Sequence, residues 1–176
     1  MNRNALMEKV IDALKNFFEN DSQLLTLKAN ERSISHKLAE HLQQEFIDFN
    51  VDCEYNRRGK SKKTLPRVLF HDIKEDDQEA KTIFPDILIH KRNIQTDNLL
   101  VIEVKKSNSS ESEVNDIIKL EAFTNPNGDF KYEVGLFMVF DVNNQNLKDV
   151  RFFKNGNEVD IGSHLKAKLE VLGYGE

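Results

Sequence analysis

The chain has 176 residues, of which 39% are hydrophobic and 31% charged, and its formal net charge is −5. That length fits one domain, 1–176, able to bury a sizeable core, and the acidic balance excludes a wholly basic nucleic-acid coat while leaving room for a local basic patch. The lone cysteine, Cys53, rules out an intrachain disulfide, and no Cys/His spacing suits a zinc site.

No signal peptide or membrane-spanning segment opens the chain, so the cytosol is the default compartment. Leu6, Val10, Leu14 and Phe17/Phe18 recur at helical spacing, which predicts a packing helix ending near Asn20-Asp21. Asn30 is a suitable N-cap for a second helix running to about Phe49, with Ile34, Leu38, Leu42, Phe46 and Phe49 as its buried stripe. Glu31 lies beside that stripe; as a first-turn carboxylate it complements the helix dipole. Val51 to Asn56 alternates as a strand, with Cys53 a small buried residue and Glu54 turned to solvent.

The run from Arg57 to Arg67 holds six basic residues and no acid. Two readings stand for Arg57, Arg58, Lys60, Lys62 and Lys63: a solvated loop, or an arm that contacts nucleic-acid phosphates. An acidic, exposed connection follows from Lys74 to Glu79.

The next two segments, Phe84 to His90 and Leu99 to Lys106, are apolar and rich in β-branched residues, with a polar link between them. They predict a β-hairpin. With the turn in that link, Asp86 falls opposite Glu103, and strand alternation puts Glu103 and Lys105 on one face and Lys106 on the other. Opposed carboxylates repel, and a divalent cation between them removes the penalty. Mg²⁺ is bound in this way, through one or two carboxylates plus water and substrate phosphate, and such a site suits metal-assisted hydrolysis of a phosphodiester. His90 follows on the Asp86 face and is read as a surface histidine.

Ser110-Glu111-Ser112-Glu113 fits a capping box with Ser110 as N-cap, opening a helix through Val114, Ile117, Ile118 and Ala122 that stops at Asn125-Pro126-Asn127-Gly128. On it, Asp116 and Lys119 are spaced as a surface ion pair of little worth. Tyr132 to Val142 is apolar on both faces and belongs mid-sheet. Val150 to Phe153, the Asn155-Gly156 turn and Glu158 to Ile161 form a second hairpin. Ser163 caps a last short helix with Leu165, Leu169 and Leu172 inward. The elements add up to a mixed α/β sandwich. No P-loop, Rossmann glycine pattern or nucleophile elbow is present, which weighs against an ATPase, a dehydrogenase or a serine hydrolase.

Pro85-Asp86 followed by Glu103-Val104-Lys105 resembles the signature of the PD-(D/E)XK nuclease superfamily. The D/E-x-K pattern also occurs at Asp72-Ile73-Lys74 and Asp129-Phe130-Lys131, but Glu103-Val104-Lys105 follows a long apolar run and has Pro-Asp on the preceding strand. The resemblance implies a restriction-endonuclease-like core, a central mixed β-sheet flanked by helices on both sides. It implies a nuclease dependent on Mg²⁺, with Mn²⁺ as substitute, acting on DNA. Asp86 and Glu103 would hold the metal, with the Val104 carbonyl and Glu31 as further ligands by analogy. Lys105 would polarise the attacking water or stabilise charge on the phosphate, and Lys119 would approach from the following helix as a nucleic-acid contact. Specificity would come from the chain's own loops, or from a homodimer or a partner protein. The alternative is a non-catalytic module of the same fold that binds nucleic acid or protein.

Overall fold

The computed structural model describes residues 2–27, 29–58, 61–65, 81–92, 94, 97–160, 167, 168 and 170. Lys60, Arg67, the acidic run 74–79 and the Ser163 cap with its leucines lie outside these residues.

Helix α1 spans Arg3–Asp21, capped by Asn2, whose side-chain oxygen accepts from the Ala5 amide at 2.8 Å. A single turn, α2 (Gln23–Thr26), leads to α3 (Glu31–Glu45), where Asn30 caps through the Ser33 amide at 2.8 Å, as expected. Helix α3 stops four residues before the expected Phe49. The Gln43 amide donates to the carbonyls of Phe46 (3.2 Å) and Phe49 (3.0 Å), and its oxygen accepts from the Val51 amide (3.0 Å), so one side chain shapes the bend into the sheet. Phe46 leaves the helical conformation yet stays buried.

The strands are β1 (Asn50–Cys53), the short pairs β2 (Arg57–Arg58) with β3 (Ser61–Lys62) and β4 (Thr64–Leu65) with β5 (Lys81–Thr82), then β6 (Ile87–His90) and β7 (Asn98–Lys106). Helix α4 (Val114–Thr124) carries the chain over to β8 (Val134–Asp141), followed by β9 (Asn146–Lys154) and β10 (Asn157–Val159). The main sheet has six strands in the order β1-β6-β7-β8-β9-β10. Only β7 and β8 run parallel; the other neighbours are antiparallel. That single parallel step is what the α4 crossover makes possible. No described helix is long and apolar enough to cross a membrane.

Helices cover both faces. Ile87, Ile89, Leu100, Ile102, Val104, Leu136, Met138 and Phe140 pack against α1 and α3. The alternate residues Leu88, Val101, Phe137 and Val139 pack with Leu120 and Phe123 of α4. Gly135 permits the close approach of α4: a Cβ there would meet side-chain carbons of Phe153, Thr124 and Leu120 at 3.1–3.2 Å. Strand β8 is buried along its whole length, as its two apolar faces require. Asn155 and Gly156 both have positive φ (54° and 78°), the conformation of a tight hairpin turn. Strand β9 begins four residues before the expected Val150, because the Asp141 carboxylate accepts from the amides of Asn143 and Asn144 and closes the preceding turn.

The capping box does not form. The cap of α4 is Glu113, in a helical conformation and with no side-chain cap bond, and its carboxylate meets Arg151 at 2.5 Å instead. An ion pair to a neighbouring strand has replaced the local reciprocal bond.

Candidate active site

The register Ile87↔Ile102 continues outward to place Asp86 beside Glu103, at the end of β6. The backbone amide of Val104 donates to Asp86 Oδ2 at 2.7 Å and locks the carboxylate there. Leu88 and Val101 face α4, so parity turns Asp86, Glu103 and Lys105 to the same side. Glu103 and Lys105 are 1% and 5% exposed, and the strand end they occupy lies inside the α4 layer.

Helix α4 supplies two further charges. Lys119 donates to Glu103 Oε2 at 2.5 Å and pairs with Asp116 Oδ1 at 3.0 Å, and Lys105 donates to Asp116 Oδ2 at 3.1 Å. The expected surface pair Asp116–Lys119 is thus half-buried, because the face of α4 that carries it is turned toward β7. The sequence marks Asp116 only as half of that i, i+3 pair; its meeting with Lys105 is not visible there.

Glu103 Oε1 is buried and has no hydrogen-bond partner. Burial pushes the Glu103 carboxyl well above its usual range, with Asp86 and Asp116 adding repulsion and Lys119 opposing. Asp86 is raised from 3.8 to about 6, chiefly by burial, against the pull of the Val104 amide and Lys119. Burial would lower the Lys119 ammonium, but attraction to Glu103 and Asp116 outweighs it and keeps the group charged.

Glu31 reaches this region from the other layer. Its Oε1 accepts from the Lys106 amide at 3.0 Å, tying the start of α3 to the end of β7, and its charge is felt at Asp86. Lys106 points away, donating from Nζ to the Ala29 carbonyl at 3.0 Å. A surface cleft of about 260 Å³ opens beside Lys105, with Ser107, Ser109, Glu111 and Lys148 among its walls.

A buried carboxylate with an orphaned oxygen, Glu103, and a half-buried one beside it, Asp86, both electrostatically strained, form a donor set that fits a hard divalent cation. Among the described residues no group of three or more His, Cys, Asp and Glu gathers as a metal cage. Mg²⁺ needs fewer protein ligands than that, since water and substrate complete its shell.

The remaining candidates separate. Arg57 and Lys62 are cross-strand partners in the β2–β3 pair. Lys63, expected with them as a phosphate contact, is instead 3% exposed. Its Nζ lies 3.2 Å from the Tyr132 hydroxyl and 5.2–5.8 Å from the ring centres of Tyr55, Phe123 and Tyr132. Burial pushes its ammonium down to about 8. His90 is likewise buried, not on the surface, with Nε2 2.9 Å from Asp52 Oδ2. Burial works against the Asp52 carboxylate, but hydrogen bonds from His90 and Arg92 outweigh it and hold its pKa well below the usual range. Glu54 is exposed, as expected, and pairs with Arg32 at 2.7 Å. Cys53 is partly buried.

No protein-family model, curated protein or solved structure matches this chain.

Proposed function

We propose that this protein is a Mg²⁺-dependent nuclease of the PD-(D/E)XK superfamily, hydrolysing phosphodiester bonds of DNA. The observation that carries the reading is the convergence of Asp86, Glu103 and Lys105 at one strand end, with Glu103 Oε1 buried and unpartnered. The order of elements supports it: helices, an antiparallel β1-β6-β7 meander, a crossover helix, then β8 parallel to β7. A restriction-endonuclease-like core would call for an order of this kind.

Asp86 and Glu103 would hold the cation, which when bound supplies an activated water and neutralises phosphate charge. Lys105 places an ammonium on the same face, where it stabilises negative charge building on the scissile phosphate. Lys119, first considered as a nucleic-acid contact, orients Glu103 by taking Oε2 and leaving Oε1 for the cation. The basic run with Arg57, Arg58, Lys60 and Lys62, of which Arg57, Arg58 and Lys62 lie on β2 and β3, is the proposed phosphate-binding arm.

A second reading has its own support. Lys105 and Lys119 are both engaged by acids within the protein, so the charges are largely self-compensated, as in a binding module that performs no chemistry. The two readings part in one experiment. Wild type, Lys105→Ala and Lys106→Ala are assayed on plasmid, oligonucleotide duplex, branched DNA and RNA with Mg²⁺ and with Mn²⁺. The nuclease reading expects cleavage to fall roughly 10²-fold or more in Lys105→Ala and little in Lys106→Ala. Equal cutting by Lys105→Ala refutes the catalytic assignment, and no cutting by wild type shifts the weight to the binding module.

A further inference from the structure

Asp116 is the one acid in the cluster that touches both lysines. Its Oδ2 lies 3.1 Å from Lys105 Nζ and its Oδ1 3.0 Å from Lys119 Nζ. Two ammonium groups drawn into one partly buried site repel each other, and a carboxylate between them converts the repulsion into two charge-assisted bonds. The lysines depend on it unequally. Lys119 has a second partner in Glu103 at 2.5 Å. The other acid beside Lys105 is Glu111, at 3.9 Å on a side chain that is 82% exposed, too loose to hold a buried ammonium in place.

We infer that Asp116 is the positioning residue of the site: it fixes the Lys105 ammonium over the cleft and, through Lys119, steadies the Glu103 carboxylate. The catalytic part of this inference rests on the nuclease reading; the geometric part does not. The long, flexible stem of a lysine adopts many conformations, and one placed at random seldom lies where charge develops. Asp116, itself anchored on a helix docked against β7, removes that freedom for Lys105.

The test compares wild type with Asp116→Asn, which keeps shape and removes charge, and Asp116→Glu, which keeps charge. Three measurements are made. The first is acylation of lysines by a small amine-reactive ester, read by mass spectrometry. Lys105 is expected to be protected in wild type and labelled several-fold faster in Asp116→Asn, with Lys63 and Lys106 unchanged as internal controls for folding. The second is Mn²⁺ binding by calorimetry, expected to change less than about threefold because Asp86 and Glu103 remain. The third is cleavage kinetics, expected to lose about 10²-fold in kcat with little change in KM, partly restored in Asp116→Glu. Unchanged Lys105 labelling in Asp116→Asn overturns the inference. So does a tenfold or greater loss of Mn²⁺ affinity, which would make Asp116 a ligand, or wild-type kcat in a folded Asp116→Asn. If wild type neither cuts nor binds Mn²⁺, the nuclease reading fails, and the labelling measurement still decides whether Asp116 positions Lys105.

Discussion

Replacing Asp86 by Asn tests the electrostatics of the site without chemistry. Asp86 is raised from 3.8 to about 6, chiefly by burial. An acid whose folded pKa lies above its unfolded value binds its proton more tightly when folded. Its ionisation therefore costs stability: nothing below about pH 4, a growing amount up to about pH 6, and the full amount above. A shift of about two units corresponds to about 3 kcal/mol. Asparagine removes the charge but keeps an oxygen able to accept from the Val104 amide, 2.7 Å away in the wild type. The two-unit rise is already net of the pull of the Val104 amide and of Lys119, so neither is subtracted again. The expectation is a gain of about 3 kcal/mol, or about 8 °C in Tm for a chain of this size, at about pH 7.5 and close to none at about pH 4. Thermal melts in chelator at both pH values measure it. Mn²⁺ calorimetry on the same samples should show binding abolished. An Asn variant that is no more stable than wild type at the higher pH, or that keeps wild-type Mn²⁺ affinity, refutes the reasoning.

Three further outcomes are expected. Because both ligands must be deprotonated to bind a cation, wild-type Mn²⁺ affinity should rise as pH climbs through about 6, with proton release on binding; a flat profile between about pH 5 and 7 contradicts a site built on Asp86 and Glu103. Lys63 has a depressed pKa, about 8, so its buried charge costs stability below about pH 8, and wild-type stability should increase between there and its ordinary 10.5. Lys63→Met should abolish that rise and be about 1–3 kcal/mol more stable near neutrality after loss of its ring contacts; chemical denaturation across the pH range decides it. Reversal of Lys60 and Lys62 to Glu should weaken DNA binding and flatten log affinity against log salt, whereas Lys63→Met should leave the slope alone; identical slopes for all three proteins would mark the basic run as a solvated loop.

What the sequence determined by itself is what short-range periodicity controls. A period of two along 99–106 puts Glu103 and Lys105 on one face and Lys106 on the other. A polar link at 91–97 sets the hairpin register that brings Asp86 to Glu103. Apolar residues on both faces of 134–141 require a central strand, and Asn30 and Asn155-Gly156 mark a cap and a turn by their own backbone chemistry. What only the tertiary structure decided are contacts between elements whose docking no local pattern encodes. By spacing alone Asp116 and Lys119 read as solvent-facing charges, with Lys119 brought toward the site only by the resemblance, until α4 settles on β7, at a depth that Gly135 allows. Lys63 and His90 read as surface groups until the rings of Tyr55, Phe123 and Tyr132 and the Asp52 carboxylate enclose them. Glu113 abandons a local cap for Arg151, and Gln43 ends α3 early by bonding to chain beyond it. A side chain's local options differ by about 1 kcal/mol, so a partner brought in by the fold outweighs them.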